Sequence, residues 1–137
     1  MPMRRARLSD CLGVRRVVNQ CRDDSFTKTK IGLIEHLKWW FTMEKMPNYY
    51  CCVYRDKRKV VAYARSISGV ISIGVDHEYR NKGIGSSLLN YLITNSKEKE
   101  YLAEVIKGND RSKKMFERAG FAFHTKIGDR ILLKRSV

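Results

Sequence analysis

Apolar positions along the chain switch between helical and strand-like spacing, and that alternation outlines the fold. The opening "MRRARL" predicts a short first strand, and Ser9 or Asp10 can cap a following helix that carries Leu12, Val14, Val17, Val18 and Cys21. From Ile31 to Lys45, "IGLIEHLKWWFTMEK" sets Ile34, Leu37 and Phe41 on one face with Trp40 beside them, and Pro47 stops this second helix. Two strands follow, Tyr49 to Arg55 and Val60 to Ser66, joined by the polar turn "DKRK". After Gly69 the β-branched run "VISIGV" predicts a strand buried on both faces. Beyond the loop "YRNKGIG", Ile84, Leu88 and Leu92 recur four residues apart with Leu89 and Ile93 alongside, the stripe of an amphipathic helix.

"YLAEVI" supplies one more strand and "NDRSKKMFERAGF" a short helix that Gly120 ends. "FAFHTKIGDRILLKRSV" closes the chain as a hairpin turning at Gly128-Asp129. About seven strands with about four helices interspersed among them predict a mixed α/β sheet layered with helices. Internal repeats and low-complexity tracts are absent.

A length of 137 residues with 43% hydrophobic content suits one globular domain over residues 1–137. No stretch approaches the roughly 18 consecutive apolar residues of a membrane span, and "MPMRRARLSDC" lacks an apolar run behind its charges, so a cytoplasmic protein is expected. The cysteines Cys11, Cys21, Cys51 and Cys52 form no CxxC pair and have no histidine at ligand spacing. They read as reduced, buried small hydrophobes, and no metal site is expected. Charge alters the picture more. With 28 Lys+Arg against 14 Asp+Glu the net charge is +14, which invites an anionic partner: nucleic acid, a membrane surface or a phosphorylated small molecule. The basic residues are spread along the chain, so charge alone does not choose among these.

The loop "YRNKGIG", Tyr79 to Gly85, lies between the buried strand and the amphipathic helix. A turn that leads straight into a helix exposes that helix's first N–H groups at its positive end, and glycine lets a phosphate approach the backbone closely. Arg80 and Lys82 add charged donors, and Ser86 and Ser87 add hydroxyls. Taken alone, Arg-x-x-Gly-x-Gly is as compatible with a tight bend as with a pyrophosphate cradle. It matches neither the dinucleotide fingerprint nor the P-loop.

Two segments in order add context. "VISIGVDHEYRNKGIGSSLL" and "LAEVIKGNDRSKKMFERAGF" resemble the coenzyme-binding strand, loop and helix, and the later strand and helix, of the GNAT family of acetyl-CoA-dependent N-acetyltransferases. The coarse element order agrees with that family over nearly the whole chain. The resemblance implies acetyl-CoA as co-substrate. Ile73, Gly74 and Val75 then present backbone groups to the pantetheine arm, and the N–H groups of Lys82, Gly83, Ile84, Gly85, Ser86 and Ser87 grip the pyrophosphate beside Arg80 and Asn81. A strand splayed from its neighbour, eased by Gly74 or Gly69, would leave such groups unpaired and able to steady an oxyanion. Asn109, Ser112 and Phe116 of the later helix are implied cofactor contacts, Asn109 also capping its helix.

The implied reaction is direct attack of a neutral primary amine on the thioester within one ternary complex. The helix position that holds a tyrosine general acid in many members is Phe116, which cannot donate a proton. Glu104 is the candidate base, with a surface or ion-paired carboxylate as its alternative reading, and Ser72 is a weaker candidate near the amine.

"EHLKWWFTMEKMPNYYCCVY" is similar to the subgroup acetylating amino groups of nucleotide-linked sugars, as in pseudaminic-acid pathways, where a His-x-x-Trp helix precedes such a strand. This implies His36, Trp39 and Trp40 as an aromatic face for a sugar or base, and Arg65 for a nucleotide diphosphate. The alternative places Trp40 and Phe41 in the core and His36 in solvent. Another small amine or a protein N-terminus fits the same composition, and a homodimer is compatible with it. From another class, "YYCCVY" and "VVAYA" could stack nucleic-acid bases, but no RNA-binding signature is present and that reading leaves the glycine loop unexplained.

Overall fold

The computed structural model describes residues 2–21 and 30–137. The elements run β1 (Met3–Arg5), α1 (Cys11–Cys21), α2 (Leu33–Glu44), β2 (Tyr49–Asp56), β3 (Lys59–Ile67), β4 (Val70–Val75), α3 (Ile84–Asn95), β5 (Glu100–Ile106), α4 (Asp110–Arg118), β6 (Ala122–Ile127) and β7 (Arg130–Ser136). Among the described residues, seven strands form one sheet in the order β1-β2-β3-β4-β5-β7-β6. All neighbours are antiparallel except β4 and β5, which run parallel because α3 carries the chain back across the sheet between them. This is the mixed α/β architecture expected from the alternating periods.

Two apolar clusters sandwich the sheet. On one face Leu88, Leu89 and Leu92 of α3, all fully buried, pack with Phe116 of α4 against Ala62, Ala64, Ile71, Ala103 and Val105. Each such leucine contributes about 1.5–3 kcal/mol relative to exposure. The other face is covered by Val14, Val17 and Val18 of α1 with Trp40 of α2, packed on Val53, Val60 and Tyr63. α1 comes so close to β3 that a Cβ at Gly13 would lie 2.7 Å from the Cβ of Val60. Because both faces of β2 and β3 are covered, the aromatic strands form no open platform for nucleic-acid bases.

Several local expectations need correction. β1 ends at Arg5, and Leu8–Asp10 forms a 3-10 turn ahead of α1. Asp10 accepts from the backbone N–H of Arg7 at 2.8 Å and from Arg4 at 2.7 Å, so it secures that turn rather than sitting half-in at the start of α1. α2 is rotated from its expected orientation: Ile34 and Phe41 are 69% and 48% exposed, while His36 and Trp40 are buried. Trp40 buries the largest ring while its indole N–H reaches Glu44 at 2.8 Å, and His36 Nε2 donates to the carbonyl of Cys11 at 3.1 Å. A buried polar tip with a partner costs little, so the larger aromatic surface decides the face. β4 is not buried on both faces; Val70 is exposed and Ser72, Ile73 and Val75 are half-buried. The cause is an opening between β4 and β5.

No described helix is long and apolar enough to cross a membrane. The four cysteines are free, and three of them are buried.

Candidate active site

β4 and β5 pair only at Val70↔Leu102 and Ile71↔Ala103. The closed end is fixed by Gly69, whose φ of +87° suits glycine and whose carbonyl accepts from Leu102 N–H at 2.9 Å. A Cβ there would lie 2.5 Å from the Glu100 carbonyl oxygen, so the two chains meet too closely for any side chain. Beyond Ile71 and Ala103 the strands part, although β4 runs on to Val75 and β5 to Ile106. Ile73, Gly74 and Val75 remain paired with β3 on their other side. The backbone groups of Ile73 and Val75, which face β5 while those of Gly74 face β3, therefore border a cleft of about 470 Å³.

Gly74 does not produce this splay. A Cβ on it would lie 2.7 Å from the Tyr63 ring and 3.1 Å from Cys21 Sγ, so its role is to admit that ring beneath the strand.

At the wide end of the cleft stands the glycine loop. Gly83 is the N-cap of α3 at φ 75°, and Asn81 also adopts positive φ. Since Ile84, Gly85 and Ser86 are the first residues of the helix, their N–H groups lack intrahelical acceptors and point out of its positive end. The Ser87 N–H is different. It donates to the Gly83 carbonyl at 3.0 Å and so is not among the open donors at the helix end, which leaves its hydroxyl as the group Ser87 can offer. A Cβ at Gly85 would stand 2.9 Å from Met115 Sδ, the end of a flexible α4 side chain that would shift to admit it.

The loop is anchored from behind. Asp76, 2% exposed, takes a 2.6 Å bond from Arg16 of α1 and a 3.0 Å bond from the Glu78 N–H. Burial alone would raise its carboxyl, but these bonds, with the charges of Arg16 and Lys59, outweigh burial and hold it below the usual carboxylate range. Arg80 Nε donates to the Val75 carbonyl at 3.3 Å, folding its side chain against the end of β4.

At the apex, Ser72 and Glu104 are the first residues past the last strand pair, and both line the cleft. The side chain of Glu104 is 36% exposed with Arg130 at 3.5 Å, a loose ion pair, so the bland reading of this carboxylate is met without removing it from the cleft. Phe116 lines the opposite wall, 3% exposed and edge-on to Phe121 with ring centroids 5.2 Å apart. Asn109 caps α4 by accepting from the Ser112 N–H at 3.3 Å, and both residues border the cleft.

Of the remaining sequence candidates, Arg65 lines the cleft, with its guanidinium carbon 4.6 Å from the Trp39 ring centroid. Trp39 is half-buried behind it. His36 is a correction: 1% exposed between α1 and α2, it does not line the cleft, and burial pushes its pKa down. The Lys82 ammonium lies over the Tyr79 ring instead of the cleft. Sequence reasoning missed Tyr63 and Cys21 in the lining. Tyr63 sits two residues before Arg65 on the same strand and so shares its face, and that spacing is the available signal; for Cys21 there is none.

Comparison with known proteins places this geometry. Residues 14–121 match the family model described as "Acetyltransferase (GNAT) family". No curated protein matches the sequence. A ribosomal-protein-alanine N-acetyltransferase from Brucella melitensis superposes with TM-score 0.87 at 20% identity, covering 100% of both chains. An N-acetyltransferase from Staphylococcus aureus Mu50 gives 0.84 at 19% identity, covering 98% of this chain and 96% of the other. A GNAT superfamily phosphinothricin acetyltransferase from Sinorhizobium meliloti, solved with AcCoA, gives 0.86 at 20% identity, covering 100% and 89%.

Proposed function

The chain belongs to the GNAT family of acetyltransferases, which makes it an acyltransferase with acetyl-CoA as co-substrate, and on that premise we propose that it acetylates the primary amine of a nucleotide-linked amino sugar by direct attack in one ternary complex. The observation that carries the reading is the parting of β4 from β5 beyond Ile71 and Ala103, which opens toward the bare N-terminus of α3. A slot in which Ile73 has lost its β5 partner suits the amides of a pantetheine arm, and the N–H groups of Ile84, Gly85 and Ser86 suit its pyrophosphate.

In this reading the backbone of Ile73 to Val75 aligns the donor and steadies the oxyanion that develops at the thioester carbonyl. Glu104 takes the proton of the attacking amine, directly or through water, and Ser72 orients that amine from the neighbouring strand. Phe116 packs beside the departing thiol and excludes water without donating a proton. Asn109 and Ser112 hold the start of α4 against the donor. Trp39 backs the Arg65 guanidinium at the acceptor side.

The acceptor assignment rests on the resemblance of the α2–β2 segment and on Arg65, backed by Trp39, lining the cleft. Its test is thiol release from acetyl-CoA, followed across amino-sugar nucleotides, polyamines, aminoglycosides and peptides with a free N-terminal alanine. Turnover of an amino-sugar nucleotide above the other classes is expected. Turnover of a peptide alone would move the acceptor to a protein N-terminus and leave the acyl transfer in place.

A further inference from the structure

We propose that the acceptor subsite selects an amine that also carries an anionic group, a phosphate or a carboxylate, and that Arg65 is the residue that selects it. The inference rests on the reading of the cleft as the place of acetyl transfer.

The sheet register brings the relevant groups to one face. Arg65 stands directly opposite Ser72, so the two side chains project from the same side. Ile71 and Ala103 both lie in the cluster beneath α3 and α4, so the next residues along each strand, Ser72 and Glu104, project from the opposite side, which is that of Arg65. A guanidinium and a carboxylate thus flank the point where the strands begin to part.

Arg65 is also held in place. Its guanidinium carbon lies 4.6 Å from the Trp39 centroid and 5.2 Å from that of Tyr63. Tyr63 is 4% exposed and borders the cleft beside Ser72. A planar cation fixed between two rings loses little freedom when it meets an oxyanion, so Trp39 and Tyr63 act as positioning residues. Among the described residues no carboxylate pairs with Arg65, whereas Glu104 has Arg130 nearby. A half-buried cation without a counter-ion is satisfied best by a charge that the ligand brings.

Spacing narrows the class. Arg65 and Glu104 lie two strands apart, and because β4 and β5 have parted at Glu104 their backbones are farther apart than the roughly 10 Å of two paired strands at about 4.8 Å each. The anion and the amine therefore lie at separate ends of the acceptor. A neutral amine leaves Arg65 unpaired, and a polyamine places like charge against it.

The test uses the protein saturated with acetyl-CoA, so that the glycine loop is already filled. Inorganic phosphate and propionate are titrated separately while the indole N–H resonance of Trp39 is followed. A saturable shift with one of them is expected, and the one that binds identifies the source of the anion. Arg65→Gln is expected to weaken that binding by about ten- to a hundred-fold, the loss of a charge-assisted pair, with acetyl-CoA affinity unchanged. Arg65→Lys keeps the charge but not the fork and is expected to fall between. Neither anion binding to the wild type, or binding untouched by Arg65→Gln, overturns the proposal. Failure of the wild type to bind acetyl-CoA overturns instead the reading on which it rests.

Discussion

Arg16 Nη1 donates to Asp76 Oδ2 at 2.6 Å, tying α1 to the residue at which β4 gives way to the glycine loop. The same arginine donates to the Val60 carbonyl at 2.6 Å, and Asp76 N–H donates to the Val61 carbonyl at 2.8 Å, so the loop inherits the rigidity of the sheet. Asp76→Asn removes the charge-assisted bond and is expected to cost about 1.5–3 kcal/mol of stability. Acetyl-CoA affinity should fall with it, because the N–H groups of α3 lose their fixed aim. The folded pKa of Asp76 lies below its ordinary value of 3.8, so the carboxylate's contribution is complete above that value and is lost as pH falls through the lower one. Urea unfolding of wild type and variant across acid pH should show the two stabilities converging at the acid end.

His36 gives a second pH dependence, at milder acidity. Burial, the largest cause, lowers its pKa from 6.5; the bond to the Cys11 carbonyl opposes this, and the charges of Arg65 and Arg15 add to it. The folded state thus favours the neutral ring. Its contribution is complete above about pH 6.5 and declines as pH falls toward the depressed folded value. His36→Gln keeps a donor for the Cys11 carbonyl without a titrating ring, so the variant should lose less stability than wild type between neutral pH and pH 5. Parallel curves over that range would show that His36 does not titrate with folding.

Phe116→Tyr places a hydroxyl in the wall of the cleft without changing the ring. If departure of the thiolate needs no protein acid, kcat should change by less than about ten-fold, since a working general acid contributes roughly 10²-fold or more. Steady-state rates over pH 6 to 9 check this. A rise of about 10²-fold with a new alkaline limb would show that protonation of the thiol limits the wild-type enzyme.

What the sequence disclosed was mostly local. The loop "YRNKGIG" and the stripe Ile84, Leu88, Leu92 are short-range patterns, because cap, glycine and first turn lie within a few residues of one another. The family resemblance extended them to the right donor. The register that makes the cleft was not legible, since Ile71 and Ala103 are far apart in the chain and nothing in either strand says where their pairing stops. The face of α2 was misjudged because Ile34 and Phe41 are as apolar as Trp40, and only the carbonyl offered by Cys11 lets His36 turn inward. Nor does the sequence show that the Ser87 N–H is spent, since that depends on where the first helical bond falls.

The central claim is that the parted strands and the α3 N-terminus hold acetyl-CoA, and calorimetric titration of acetyl-CoA into wild type and Gly85→Asp tests it most directly. An aspartate in the first helical turn favours the helix dipole, so the variant should stay folded, with Met115 shifting to admit the side chain. Its carboxylate would nevertheless stand where the pyrophosphate is gripped. The account predicts saturable binding to the wild type and a loss of at least about ten-fold in the variant, the scale of one charge-assisted contact, at an unchanged unfolding temperature. Equal binding by both proteins, or no binding by the wild type, would contradict it.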